Sequence, residues 1–275
     1  MKLKLGVSLL ALDNKKNLNN FVKILKKEKI NYLELPITKV FNNFDFNLKK
    51  FRLFKQLLKK NSLKISSIQS IFFGKPDLNI FDVSKHKTIL LHIKNILKIS
   101  KYLGAKNIIF GSPINRRIDL KKKKQQTLVG IKIFKKIANE CQKNKIFFCI
   151  EPNAKYYKCN YINSIQQAIK LVRIVNSKNF LINVDTGNIS LENKKLINFK
   201  KNSKLFGNFQ ISEKNLARIS RGNINHVKIL SHFDLTKKMI SLEMNNVKID
   251  NLITEVKKFK NIIYKFQMKN NDYQY

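Results

Sequence analysis

The chain has 275 residues, 43% of them hydrophobic, and carries 56 Lys and Arg against 17 Asp and Glu, a formal net charge of +39. That length and apolar content exclude a disordered chain, and three cysteines without CxxC spacing (Cys141, Cys149 and Cys159) exclude a disulfide framework and point to a reduced, cytoplasmic protein. The lysines are spread over helical faces at 26–29, 59–60, 121–124 and 257–260 rather than gathered with aromatics on one element, so the charge reads as solvated surface and no specific nucleic-acid partner is expected.

Along the chain, apolar runs of strand length alternate with stretches of helical period. KLKLGVSLL (2–10) is followed by Phe21, Ile24 and Leu25 on one helical face, and NYLELPI (31–37) by Leu53, Leu57 and Leu58. LKISSIQSIFF (63–73) precedes Ile89, Ile93, Ile96 and Leu97, and AKNIIFGSP (105–113) precedes Ile133, Phe134 and Ile137. IFFCIEPN (146–153) leads to Ile165, Ala168, Ile169 and Val172. FLINVDTGN (180–188) and FGNFQISE (206–213) lead to shorter helices near 192–201 and 224–233. MISLEM (239–244) precedes a last helix with Asp250 as N-cap before Leu252, Ile253 and Val256.

Eight strand–helix units predict an α/β protein built as a single (β/α)8 TIM barrel over residues 1–267, with a polar tail at 268–275. The N-terminus enters a strand at once, without the apolar core of a signal peptide, and no run reaches transmembrane length. Neither export nor a membrane partner is expected.

Several strand runs end in acidic residues, on the face where such barrels build their sites. The pieces LGAKNIIFGSP (103–113), CIEPN with a following CNYI (149–162), NVDTGN (183–188), FQISEKNL (209–216) and SLEM (241–244) together resemble the xylose isomerase-like barrels of the sugar phosphate isomerase and epimerase family. The resemblance implies a divalent metal held from the fifth to eighth strands, here by Glu151, Asp185, Gln210 and Glu243. The seventh-strand residue is His in the family pattern, so Gln210 departs from it at the only nitrogen ligand. The resemblance also implies that Glu151 and Glu243 act as the acid/base pair of an enediolate reaction on a sugar or sugar phosphate.

Three carboxylates at one barrel mouth repel one another, which calls for a cation or for raised pKa values. An all-oxygen ligand set suits Mg2+ or Mn2+ better than Zn2+. The alternative is a metal-free barrel that binds carbohydrate without turning it over. Other candidate substrate contacts are Glu34, Gln69 with Ser70, Asn153, Asn188, Asn215 and Glu213. Arg116 and Arg117, with Lys155 and Arg218 as weaker versions, are placed to clamp a phosphate or carboxylate. His226 is the histidine nearest the expected mouth, while His86, His92 and His232 read as structural. An inosose or hydroxy-acid dehydratase shares the enolate chemistry, and an apurinic-site nuclease would need many more histidines than the four present. Pairing into a homo-oligomer is left open, since no apolar stripe decides it.

Overall fold

The computed structural model describes residues 3–192 and 196–271. Eight parallel strands, β1 (Lys4–Ser8), β2 (Tyr32–Pro36), β3 (Lys64–Gln69), β4 (Asn107–Phe110), β5 (Phe147–Ile150), β6 (Phe180–Asp185), β7 (Phe206–Ile211) and β8 (Met239–Leu242), form a closed barrel in chain order. β8 returns to β1, with Lys4 opposite Met239 and Val7 opposite Leu242. At least one helix follows each strand: α1 (Leu18–Lys27), α2 (Ile37–Phe41), α3 (Leu48–Lys60), α4 (His86–Leu103), α5 (Lys123–Lys143), α6 (Ile165–Val175), α7 (Thr186–Leu191), α8 (His226–Leu230) and α9 (Ile249–Asn271).

Phenylalanine supplies the bulk between sheet and helices, since the chain has 20 Phe and no Trp. Phe110 and Phe148 lie 5.6 Å apart between centroids, Phe148 and Phe180 5.8 Å, and Phe180 and Phe134 of α5 5.1 Å, all fully buried. Rings at these spacings fill volume in offset or edge contacts.

The barrel's interior is polar. Asn208 and Gln210 on β7 donate to Glu34 on β2, a contact that runs across the barrel axis. Two irregularities in register set this layer. Pairing shifts between Leu33 and Glu34, so that Glu34 stands opposite Ser67, whose Oγ donates to Glu34 Oε1 at 3.0 Å. A second shift between Ile182 and Asn183 puts Asn183 opposite Asn208, which donates to it at 2.9 Å. Bulges of this kind re-aim side chains near functional sites.

All eight expected strands are present, and the differences lie at their ends and in two helices. The run ending at Phe73 stops as strand at Gln69, because Ser70 takes a positive φ of 54°. The helix expected at 192–201 is displaced: helix begins directly at Thr186, capped by Asp185, whose Oδ1 accepts from the Asn188 N–H at 2.6 Å. Residues 200–205 form 3-10 turns, and 193–195 lie outside the described residues. The short helix α2 was not expected. Asp250 sits in the first turn of α9 rather than at its cap, favourable there for the helix dipole. Leu53 belongs to α3 but is 59% exposed, off the core face. α9 continues past 267 to Asn271, and residues 272–275 of the expected tail lie outside the described residues. No helix among the described residues is long and apolar enough to cross a membrane.

Candidate active site

A cavity of about 540 Å3 opens at the C-terminal ends of the strands. Its polar floor comes from Gln69, Glu151, Asn153, Asp185, Asn188, Ser212 and Glu243, and its apolar walls include Phe72, Phe73, Ile109, Ile114 and Leu216. Among the described residues, Lys75 is the only cationic side chain on this lining.

Glu151 follows β5 directly and is buried. Its Oε1 accepts from Asn153 Nδ2 at 2.6 Å and Asn188 Nδ2 at 3.1 Å, and its Oε2 from Asn183 Nδ2 at 2.9 Å. Burial, reinforced by the charge of Asp185, pushes its pKa up to about 7, against the pull of Arg116 and these amides. A Cβ at Gly111 would stand 3.1 Å from Glu151 Oε1, so a glycine after β4 lets the carboxylate lie against the neighbouring strand end. Asp185 is raised by burial although Ser212 Oγ donates to its Oδ2 at 2.6 Å and Asn188 Nδ2 to its Oδ1 at 3.0 Å. Glu243 is raised well above the usual carboxylate range by burial and then by Glu151, Asp185 and Glu34. Its Oε1 accepts from Gln69 Nε2 at 2.5 Å, and Gln69 is in turn fixed by Ser8 Oγ at 2.9 Å.

Five of the expected site residues face elsewhere. Gln210 is 1% exposed and lies under the floor: its Oε1 accepts from Asn183 Nδ2 at 2.5 Å and its Nε2 donates to Glu34 Oε2 at 2.7 Å. Glu34 lies in the same layer, held by Ser67, Asn208 and Gln210, and burial raises its pKa. Arg116, expected as a phosphate clamp, is fully buried behind Glu151. Its Nη2 donates to the Glu151 carbonyl at 2.6 Å and to Asn153 Oδ1, so it braces the residue that hydrogen-bonds the Glu151 carboxylate. Its Nε and Nη1 have no hydrogen-bond partner among the described residues, and the guanidinium lies 5.9 Å from the Phe110 ring centroid.

Glu213 and His226 pair with each other instead of with the cavity. His226 Nε2 lies 3.1 Å from Glu213 Oε1, and its Nδ1 3.0 Å from Thr186 Oγ1. Burial, with a smaller push from Lys258, lowers the His226 pKa to about 4, so the ring is neutral at pH 7. His226 thus ties α8 to the segment after β7 through Glu213 and to the start of α7 through Thr186. Gly222 leaves room for the pair, because a Cβ there would overlap the Glu213 carboxylate. Gly222→Ala is therefore expected to break the Glu213–His226 contact and destabilise the fold by about 1–3 kcal/mol, measured by denaturant unfolding. His86 and His92 on α4 bond the carbonyls of Ile80 and Ile71, structural roles in the loop after β3.

Sequence reasoning passed over Asn183, Asn208 and Ser212. The signal was available: Asn183 and Asn208 stand two residues before Asp185 and Gln210, and residues two apart on a strand share a face.

The sequence matches the family model described as xylose isomerase-like TIM barrel over residues 22–262. The chain belongs to that family. No curated protein matches it. Among solved structures, the family barrel is similar to a D-tagatose 3-epimerase-like protein at 14% identity, with TM-score 0.76 and 97% of this chain and 99% of the other covered. It is similar to the D-allulose 3-epimerase of Methylomonas sp. in complex with D-allulose at 12% identity, with TM-score 0.71 and coverage of 94% and 96%. The IolI protein, whose structure holds a zinc atom, matches at 16% identity, TM-score 0.71 and coverage of 96% and 99%. At these identities the likeness is one of fold.

Glu151, Asp185, Gln210 and Glu243 occupy the strand ends from which the xylose isomerase-like family is expected to hold its ion, and the donor set does not fit one. Among the described residues, no group of three or more His, Cys, Asp or Glu side chains is arranged to hold a metal ion. Every one of the four makes at least one hydrogen bond to a side-chain amide, and Gln210, in place of the nitrogen ligand, turns its oxygen to Asn183.

Proposed function

We propose that the chain is an isomerase or epimerase that moves a proton at a carbon beside the carbonyl of a sugar, with Glu151 and Glu243 as the acid/base pair. The observation that carries this is the presence of two buried carboxyl groups on one cavity floor, each raised for reasons of burial and mutual repulsion. With Glu151 near 7, that residue is partly ionised at neutral pH and suits the base, while Glu243, raised well above the usual carboxylate range by burial and its acidic neighbours, suits the acid. Asn153, Asn188 and Ser212 line the floor beside them and fit sugar hydroxyls.

The sugar-bearing relatives support this reading: one neighbouring structure holds D-allulose, and another, from Clostridium cellulolyticum H10, holds D-tagatose. Lys75 as the sole lining cation among the described residues, with Arg116 turned away, favours an unphosphorylated sugar over a sugar phosphate. The Mg2+ or Mn2+ expected from the sequence is not part of this reading, because side-chain amides occupy the acid oxygens that would hold it. Three free, buried cysteines fit a reducing cytoplasm.

The test is solvent exchange. With D-fructose, D-allulose or D-tagatose in D2O, wild type is expected to place deuterium at the epimerised carbon, read by NMR, and Glu151→Gln is expected to place none. Loss of water from the substrate, seen by mass, would instead mean a dehydratase. Saturable binding without exchange on any sugar would mean a carbohydrate-binding barrel, the reading that Gln210 favours.

A further inference from the structure

We infer that the acid cluster of this barrel operates with no divalent cation, its negative charge being met by a fixed lattice of side-chain amides. A divalent ion needs carboxylate oxygens turned toward a common point with lone pairs to spare, about six around Mg2+. Here one amide nitrogen, Asn188 Nδ2, stands between the two nearest acids, giving one hydrogen to Glu151 Oε1 at 3.1 Å and one to Asp185 Oδ1 at 3.0 Å. Asn183 Nδ2 does the same for Glu151 Oε2 and Gln210 Oε1. These nitrogens stand where a shared cation would have to bridge.

The orientation of each amide is set by a second partner of fixed polarity, which matters because Asn and Gln can otherwise be turned end for end. Asn188 Oδ1 accepts from the backbone N–H of Ala154 at 2.8 Å, so its NH2 must face the acids. Gln210 Nε2 faces the Glu34 carboxylate, so its oxygen must face Asn183. Asn208 Nδ2 divides its hydrogens between Glu34 Oε1 at 2.8 Å and Asn183 Oδ1 at 2.9 Å, which leaves the Asn183 NH2 for Glu151 and Gln210. An ion taking the Gln210 oxygen would have to displace the Asn183 NH2 from it, while the Gln210 NH2 stays held by Glu34. The imidazole missing at 210 is thus one part of a rebuilt layer that includes Asn183 and Asn208, both fully buried.

The experiment is metal analysis of wild-type protein expressed in medium supplemented with Mn2+, Mg2+ and Zn2+ and then desalted, together with melting curves in EDTA and in about 1 mM of each ion. The expected result is well below one ion per chain and no change in Tm in either condition. An ion at about one hundred times its Kd would raise Tm by several degrees. Stoichiometric metal, or a Tm rise that disappears in Glu151→Gln, overturns the inference. A double variant, Gln210→His with Asn188→Ala, is expected to gain Mn2+ binding, since it supplies the nitrogen and removes the bridging amide. The outcome is separable from the proposed function: exchange that appears only with an added ion removes the inference and leaves the epimerase, whereas a metal-free chain without exchange on any sugar leaves the inference and removes the epimerase.

Discussion

Glu243→Gln is expected to lower turnover by about 10²- to 10⁴-fold, the usual contribution of a positioned acid or base, and in the same protein to raise the melting temperature at pH 8. Both effects have one cause. Glu243 is buried among Glu151, Asp185 and Glu34, and holding its charge there is unfavourable. Gln keeps the volume and the Oε1 that accepts from Gln69 while removing the ionisable group. Denaturant unfolding at pH 8 and deuterium exchange on the same preparation check the pair. A variant that keeps exchange, or that melts below wild type, would remove Glu243 from the role.

The second large effect is a fall in wild-type stability as pH rises from 5 to 8. A carboxyl group whose folded pKa is raised binds its proton more tightly in the native state, so its contribution is complete below the unfolded value and is lost as pH climbs to the folded value. For Glu151 the window runs from 4.5 to about 7, a loss of roughly 3 kcal/mol. Glu34, Asp185 and Glu243 shift in the same direction. His226 opposes them: its folded pKa is lowered from 6.5 to about 4, so its contribution is present above 6.5 and is lost as pH falls toward 4. Burial also raises Glu213 and lowers His92, so five raised acids stand against two lowered histidines, and a decline in Tm from pH 5 toward pH 8 is expected. The decline is expected to shrink in Glu243→Gln, and melting curves across this range read it directly. A Tm that climbs steadily to pH 8 would contradict the arrangement of buried acids.

The architecture was legible because parallel strands buried on both faces read as continuous apolar runs, and all eight were found within a few residues of their observed ends. Strand ends were harder, since what stops a strand is local: Ser70 leaves by a positive φ, and Asp185 caps a helix that a strand pattern carried through to Asn188. Glu151, Asp185 and Glu243 were readable as acids at the tips of apolar runs, and they line the cavity together. Arg116 was misplaced because a loop sequence such as SPINRR does not say which arginine turns inward; only the folded chain shows one guanidinium bracing Asn153 and the Glu151 carbonyl. The interior amides were missed for a different reason. Asn inside a strand counts against the strand by propensity, and its meaning emerges only when its partner, 174 residues away for Asn208 and Glu34 or on the next strand, is known.

The polar layer across the barrel axis also sets how the chain can come together. Glu34 belongs to the first half of the sequence, while two of its donors, Asn208 and Gln210, belong to the second. A folded β1–β4 half would hold a carboxyl group with those donors missing, and a folded β5–β8 half would hold Asn208 and Gln210 without the carboxylate to which they donate. Each half is therefore a poor intermediate, and closure of the ring and completion of its interior are a single cooperative event.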